Sequence, residues 1–247
     1  MFKYILLGII QGFTEFLPVS SSGHLVIMQK LFGSTGEEVA LSVVLHLGTC
    51  LALIIFFFKD ILKLGRDIKT LSLIIVVTAI TGVIGLSGKD FFESLFSSVK
   101  PVAFALMVTG VILILTKKFM SALRSSLNFK DAVILGLAQG AAIVPGISRS
   151  GITVSTLLFR KIDRETAFRF SFLASIPAVL GAAILEAKEI NFALKNNIGN
   201  FAVGFIFSFL TGILSLWIFK IILKRAKLHY FGYYCIAIAI LTLLFIR

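Results

Sequence analysis

One pattern occurs twice in this chain, and each time it breaks an apolar stretch that would otherwise read as a membrane helix. Leu7-Gly8-Ile9-Ile10-Gln11-Gly12 leads to Pro18-Val19-Ser20-Ser21-Ser22-Gly23, and Leu135-Gly136-Leu137-Ala138-Gln139-Gly140 leads to Pro145-Gly146-Ile147-Ser148-Arg149-Ser150-Gly151. Gly8 to Gly136 and Gly23 to Gly151 share one offset, 128 residues, close to half of the 247. Broken backbone at membrane depth is tolerated only where protein or a water-filled cavity surrounds it. Two polar turns of this kind therefore demand a fold that encloses them, and they mark where a site should lie.

That the surroundings are a membrane follows from composition. The chain is 58% hydrophobic with a mean hydropathy of +1.02, against roughly 45–50% apolar residues in soluble domains. Several apolar runs approach the roughly 20 residues a helix needs to cross a bilayer. The N-terminal stretch does not read as a cleavable signal, because Gln11 and Glu15 interrupt it and no small-residue cleavage site follows. A net charge of +12 does not point to nucleic acid, since the basic residues sit in short runs between apolar segments, as in cytoplasmic loops. Cys50 and Cys235 lie inside apolar runs and read as packed free thiols, with no disulfide framework or metal spacing.

The expected fold is an all-α integral membrane protein, one polytopic domain with internal repeats 1–125 and 130–247. Six segments read as full crossings: 40–58, 71–87, 101–116, 166–185, 201–219 and 230–246. Residues 2–33 and 130–160 differ. A helix over 2–17 is only about 24 Å long, short of a hydrocarbon core of about 30 Å. The Pro18 turn separates it from a second short piece, 23–32, and 131–143 with 150–160 repeat the plan. Each half is then a re-entrant helical hairpin followed by three crossings. Three is odd, so the second half inserts upside down relative to the first.

Charge counting tests that inversion. Sixteen of the 24 basic residues fall in four loops expected on one side: Lys59, Lys63, Arg66, Lys69; Lys117, Lys118, Arg124, Lys130; Arg160, Lys161, Arg164, Arg169; and Lys220, Lys224, Arg225, Lys227. Seven fall on the other: Lys3, Lys30, Lys89, Lys100, Lys188, Lys195 and Arg247. The positive-inside rule makes the first face cytoplasmic and puts both termini outside. Inverted repeats of this kind bring their broken helices together near the midplane, with helix N-termini aimed at a shared ligand.

Glu15 and Arg149 are the charges hardest to explain as solvated, since each costs roughly 2.5–3.5 kcal/mol on insertion scales. They could neutralise each other as a structural pair, but both are flanked by further polar groups, which favours a functional reading. Gln11 and Glu15 are four apart and share a helix face, and Ser21 and His24 are three apart at the start of the next helix. Ser20, Ser21 and Ser22 suit a helix N-terminus, whose free amides and dipole attract anions. One serine suffices for a cap and three are present. In the second turn Pro145-Gly146 signals a turn, Ser148 and Ser150 can cap, Gly151 permits close approach, and Arg149 offers a planar fork suited to phosphate oxygens. Together these make an oxyanion site for a phosphorylated compound at membrane depth. His46, in an apolar crossing, reads as an interhelical hydrogen-bonder.

Gln11-Gly-Phe-Thr-Glu15-Phe-Leu-Pro-Val-Ser-Ser-Ser-Gly-His24 and Pro145-Gly-Ile-Ser-Arg-Ser-Gly-Ile-Thr153 resemble the two signature motifs of the undecaprenyl-diphosphate phosphatase family, integral-membrane enzymes associated with bacitracin resistance. The resemblance covers essentially the whole chain. It implies hydrolysis of a polyprenyl diphosphate to the monophosphate in the prokaryotic plasma membrane, recycling the lipid carrier of cell-wall polymers. It also implies dependence on Mg²⁺ or Ca²⁺. By motif position Glu15, Ser21, His24 and Arg149 match the functional residues, while Ser20, Ser22, Gly146, Ser148, Ser150 and Thr153 join Arg149 around the diphosphate. Gln11 stands at the first acidic position of the family's Glu-rich motif, so Glu15 and Gln11 are the metal candidates, with a single carboxylate between them.

The expected mechanism has Ser21 attacking the terminal phosphorus, His24 taking its proton and later activating water, and Glu15 orienting His24 or binding the cation. A version with His24 as nucleophile fits the same spacing. The rival class is a secondary transporter or flippase of a phosphorylated lipid or anion, because inverted repeats with broken helices are also how transporters bind substrate. Expected partners are the polyprenyl diphosphate and membrane lipids, with no nucleic acid; a homodimer is left open. The 25 phenylalanines could line a lipid-tail groove or simply face lipid.

Overall fold

The computed structural model describes residues 1–33, 38–119, 121, 124–185 and 187–246, and only the backbone of 187–196. Arg247 therefore lies outside the described residues, as do the side chains of Lys188 and Lys195. Among the described residues the chain is helical throughout, and its one β-type pairing is an isolated bridge between Arg124 and Ile162.

Both interrupted stretches are helical hairpins. Helix α1 (Phe2–Phe16) ends because the residue before Pro18 cannot stay helical, and Leu17 is extended with ψ 144°. Helix α2 (Ser21–Phe32) starts at an N-cap on Ser20 and stops at Gly33, whose φ is +77°. The apolar helices α3 (Glu38–Phe56), α5 (Ile68–Ser87) and α7 (Val99–Leu115) follow, with short helices α4 (Phe58–Leu64) and α6 (Lys89–Leu95) between them. The second hairpin comprises α8 (Phe129–Ala141) and α9 (Arg149–Phe159). Asn128 and Asp131 start it with a reciprocal capping box. The chain ends with α10 (Arg164–Leu185), α11 (Ala187–Lys224, non-helical at Asn197) and α12 (His229–Phe245).

All six expected apolar segments are helical. Among the described residues, five helices are long and apolar enough to cross a membrane: 38–56, 68–87, 99–119, 164–185 and 197–224. The sixth, α12, has 17 residues, about 25 Å at 1.5 Å per residue.

Small residues set the packing. Helix α1 lies against α11, and α11 against α3; α8 lies against α5, and α5 against α10; α7 pairs with α12. A Cβ on Gly8 would sit 2.6 Å from the Gly204 carbonyl oxygen, and one on Gly12 would sit 2.7 Å from that of Ser208. On α8 the matching Gly136 would place a Cβ 2.9 Å from Ile80 Cβ. The glycines of the repeated Leu-Gly…Gln-Gly pattern thus let each hairpin's first helix approach its neighbour closely, as small residues do between membrane helices.

Phenylalanine builds much of the core. Phe16, Phe172 and Phe219 are fully buried, with Phe57 and Phe168 nearly so. Their rings pack edge to face at centroid distances such as 4.9 Å for Phe168–Phe172 and 5.6 Å for Phe16–Phe172. Others, including Phe58, Phe91, Phe104 and Phe129, are exposed apolar surface. Near the second hairpin, fully buried Asp131 accepts Arg124 Nη1 at 2.6 Å, Arg124 Nη2 at 2.7 Å and Arg160 Nε at 2.9 Å. That knot ties the segment before α8 to the ends of both hairpin helices.

Candidate active site

The tips of the two hairpins meet. Each turn is built the same way at the offset of 128: Ser20 Oγ accepts the amide of Gly23 at 3.3 Å and lies 3.3 Å from Ser22 Oγ. Ser148 Oγ accepts the amide of Gly151 at 3.1 Å and lies 3.3 Å from Ser150 Oγ. A cap of this kind satisfies one of the orphan amides at a helix N-terminus and leaves others available.

The turns differ in strain and bracing. Ser20 adopts φ +67°, ψ 96°, a conformation that costs a non-glycine residue on the order of 1–3 kcal/mol. Gly146 takes φ +100°, and any Cβ there would come within 2.7 Å of Ala105 Cβ. Thr109 of α7 locks the second turn: its hydroxyl donates to the Gly146 carbonyl at 2.9 Å and accepts the Ser148 amide at 3.0 Å. Ser150 Oγ donates to the Leu17 carbonyl at 3.2 Å, joining the two turns directly.

Glu15 is the centre. It is 7% exposed, on the last turn of α1. Arg149 Nη2 donates to its Oε1. Its Oε2 accepts the Ser21 hydroxyl at 2.6 Å and Gln11 Nε2 at 3.0 Å, with His46 Nε2 at 3.4 Å. The i, i+4 spacing places Gln11 beside Glu15 on α1. Ser21 reaches Glu15 across the Pro18 turn.

Two polar atoms of this cluster are left over. Arg149 Nη1 and Gln11 Oε1 are both buried and without a hydrogen-bond partner. Buried polar groups are normally satisfied by protein, water or ligand, so the unpaired guanidinium nitrogen and amide oxygen on either side of the carboxylate have capacity for a polar partner. The nitrogen suits an anion and the oxygen a cation.

Of the sequence candidates, the structure gathers Glu15, Ser21, Arg149 and Gln11 into one contact network. His24 sits apart from Ser21's hydrogen bond: its Nδ1 is 2.8 Å from the Ser20 carbonyl and its Nε2 is 2.8 Å from Tyr234 Oη. Ser148 Oγ caps α9 while its backbone amide donates to Thr109, and Ser150 Oγ lies beside Ser148 Oγ and donates to the Leu17 carbonyl. Thr153, fully buried, donates to the Arg149 carbonyl at 2.6 Å and meets Ser171 Oγ at 2.5 Å, so it steadies the residue that carries the guanidinium. Ser22 is half-buried beside Ser20.

Two residues outside both motifs join the site. His46 of α3, read from sequence as an interhelical hydrogen-bonder, fixes Nδ1 on the Ser42 carbonyl at 2.8 Å and turns Nε2 toward Glu15. Tyr234 of α12 meets His24. A lone histidine in an apolar helix was a signal for the first; a tyrosine among membrane aromatics gives no signal for the second. Cys50 and Cys235 are buried free thiols. Among the described residues, no three of His, Cys, Asp and Glu converge as a metal-binding group.

A buried hydroxyl bonded to a carboxylate, with an arginine bridging from the second turn, brings together the side-chain types that a nucleophile, a base and an anion clamp require. Comparison with known proteins gives the family. Residues 4–241 match the family described as "Bacitracin resistance protein BacA". The chain is 42% identical over 255 residues to the undecaprenyl-diphosphatase of Halothermothrix orenii, covering 99% of this chain and 97% of that protein. It is 43% identical over 241 residues to that of Carboxydothermus hydrogenoformans, covering 94% and 92%. It is also 37% identical over 252 residues to that of the Methanococcus maripaludis strain C5, covering 98% and 99%. With near-complete coverage in both directions, the chain belongs to the BacA bacitracin-resistance family.

Proposed function

We propose that this protein hydrolyses undecaprenyl diphosphate to the monophosphate and inorganic phosphate, at the Glu15–Ser21–Arg149 cluster. The observation that carries the reading is the 2.6 Å hydrogen bond from the Ser21 hydroxyl to a buried carboxylate whose other oxygen is held by Arg149. The relatives' shared name supplies the substrate.

The chemistry follows from who holds which proton. Ser21 Oγ attacks the terminal phosphorus while its proton passes to Glu15 Oε2, already in contact. The anhydride oxygen leaves on the lipid monophosphate, which is a good leaving group without a proton. Water then attacks the phosphoserine, Glu15 returns its proton to Ser21, and inorganic phosphate departs. Arg149 Nη1 is free to take a phosphate oxygen, and the amides at the starts of α2 and α9 add donors from two sides. Most of the acceleration in such a transfer comes from positioning and charge neutralisation. His24 suits the second step, as the group that takes the proton of the attacking water.

The sequence resemblance implies a divalent cation, and the residues present fit one. Gln11 Oε1 is a buried oxygen without a partner, next to Glu15, so these two would hold it together with diphosphate oxygens. A bound cation would neutralise charge on the diphosphate.

The reading extends to topology. We take the halves 1–125 and 130–247 to be an inverted repeat with six crossings, both termini outside, in a prokaryotic plasma membrane. Exchange of the packing pairs supports it: α1 with α11 corresponds to α8 with α5, and α3 with α11 to α10 with α5. The identical serine caps at the offset of 128 support it too.

The test is phosphate release by purified protein in detergent, where no gradient exists to drive transport. With undecaprenyl diphosphate and Mg²⁺ or Ca²⁺, wild type releases phosphate and Ser21→Ala does not. No release by the wild type with either metal overturns the reading.

A further inference from the structure

Tyr234 lies on a helix that carries neither motif, 210 residues from His24, yet it completes that residue's hydrogen bonding. The contact is engineered by the packing of α12. A Cβ on Gly232 would sit 2.6 Å from the Gly110 carbonyl oxygen, and one on Gly110 would sit 2.8 Å from the Gly232 carbonyl oxygen. Without side chains at that crossing, α12 comes close enough to α7 to reach the first hairpin. Cys235 Sγ then contacts the Pro18 carbonyl at 3.7 Å, and its neighbour Tyr234 meets His24 with the two rings stacked, 2° from parallel at 5.7 Å.

The proton positions follow from the partners. The Ser20 carbonyl can only accept, so His24 Nδ1 carries the hydrogen, and the neutral ring keeps its lone pair on Nε2. That lone pair faces Tyr234 Oη at 2.8 Å, so the tyrosine hydroxyl is the donor. In this arrangement a proton that reaches Nε2 along the lone pair comes through the Tyr234 oxygen. A hydroxyl both donates and accepts. Once Nε2 is protonated it can donate back to Oη, so the ring is held in both charge states.

We propose that Tyr234 is the positioning residue of His24 and relays to it the proton of the attacking water. As the water oxygen bonds to phosphorus, its proton passes to Tyr234 Oη while the tyrosine's own proton passes to His24 Nε2. The serine–phosphorus bond breaks, and Ser21 Oγ recovers its proton from Glu15. Water, tyrosine and histidine end with one proton moved and no change in oxidation state. The inference rests on the phosphatase reading, with His24 serving the second step.

The first readout is a rapid acid quench with substrate labelled in the terminal phosphate, run beside steady-state turnover. Tyr234→Phe removes the hydroxyl and keeps the ring. It is expected to leave the burst of labelled protein within about twofold and to slow turnover about tenfold, the size of one lost hydrogen bond. In a His24→Gln background the same change should add nothing, because interacting groups are non-additive. Wild-type turnover in Tyr234→Phe, or an equal loss in both backgrounds, overturns the relay. The second readout needs no activity: ¹⁵N shifts of the His24 imidazole. They should report hydrogen on Nδ1 and a change at Nε2 on Tyr234→Phe. A wild type that releases no phosphate but shows these shifts sinks the phosphatase reading and with it the relay, while confirming the contact; unchanged shifts sink the contact itself.

Discussion

Arg149 and Glu15, 134 residues apart in sequence, form a partly buried ion pair across the tips of the two hairpins. The pair is not closed. One guanidinium nitrogen is spent on the carboxylate, and the other is buried without a partner. A purely structural pair would consume both donors, because bidentate geometry is the strongest arrangement available to arginine and carboxylate. In the proposed mechanism the spare nitrogen lets the pair hold an anion as well as neutralise itself.

Arg149→Ala should therefore lower turnover by about 10²–10³-fold, the usual cost of removing one preorganised donor from a developing oxyanion. Arg149→Lys keeps the charge but loses the fork, so it should recover only part of that loss. Phosphate release by protein that still purifies as a folded membrane protein measures both. Full activity in Arg149→Ala would remove the guanidinium from the reaction.

Glu15→Gln keeps the shape of the side chain and its contact with Ser21 but cannot take the serine proton. The expected loss is about 10²–10⁴-fold in turnover, the range for a general base, and it should appear in the burst of phosphoenzyme as well as in the steady state. A variant that forms the burst at the wild-type rate would show that another group receives the proton.

Gln11→Glu adds a second carboxylate beside Glu15. Its metal dependence should shift toward lower cation concentration, read as the Mg²⁺ or Ca²⁺ needed for half-maximal phosphate release. An unchanged metal profile would place Gln11 Oε1 outside the cation's reach.

Gly12→Ala would drive a Cβ to 2.7 Å from the Ser208 backbone oxygen, which cannot swing aside. Overpacking of this kind costs about 1–3 kcal/mol and should lower the thermal midpoint in detergent. Gly82→Ala in α5 is the control, since nothing lies within 4 Å of the added carbon. Its midpoint should stay or rise, as alanine is the better helix former. Equal losses at both positions would refute the packing role of Gly12.

Much of this site was legible because its signals are local. Pro18 ended α1 close to where the sequence indicated, α8 ended at Ala141 rather than at 143, and the four-residue spacing placed Gln11 on Glu15. The offset of 128 anticipated two caps of one design. The hydrogen-bond partners were not legible. Ser21 and His24 share a helix, and that spacing made His24 the natural acceptor, but the strained Ser20 turn brings Ser21 back to Glu15 and turns His24 toward α12. Tyr234 depends on a glycine crossing between α7 and α12 that no short window of sequence reveals. Likewise, the sequence did not show that the Ser148 amide, Ser150 Oγ and Thr153 Oγ1 make bracing contacts with Thr109, Leu17 and Ser171.

In the proposed mechanism Ser21, not His24, carries the phosphoryl group. The direct measurement is to quench a single turnover of terminal-phosphate-labelled substrate with the His24→Gln variant, in which the second step is slowed, and to map the label by mass spectrometry under conditions that preserve both phosphoserine and phosphohistidine. Label is expected on the peptide containing Ser21, as acid-stable phosphoserine, and at the same site in the wild type at short times. Label on the His24 imidazole of the wild type would contradict it.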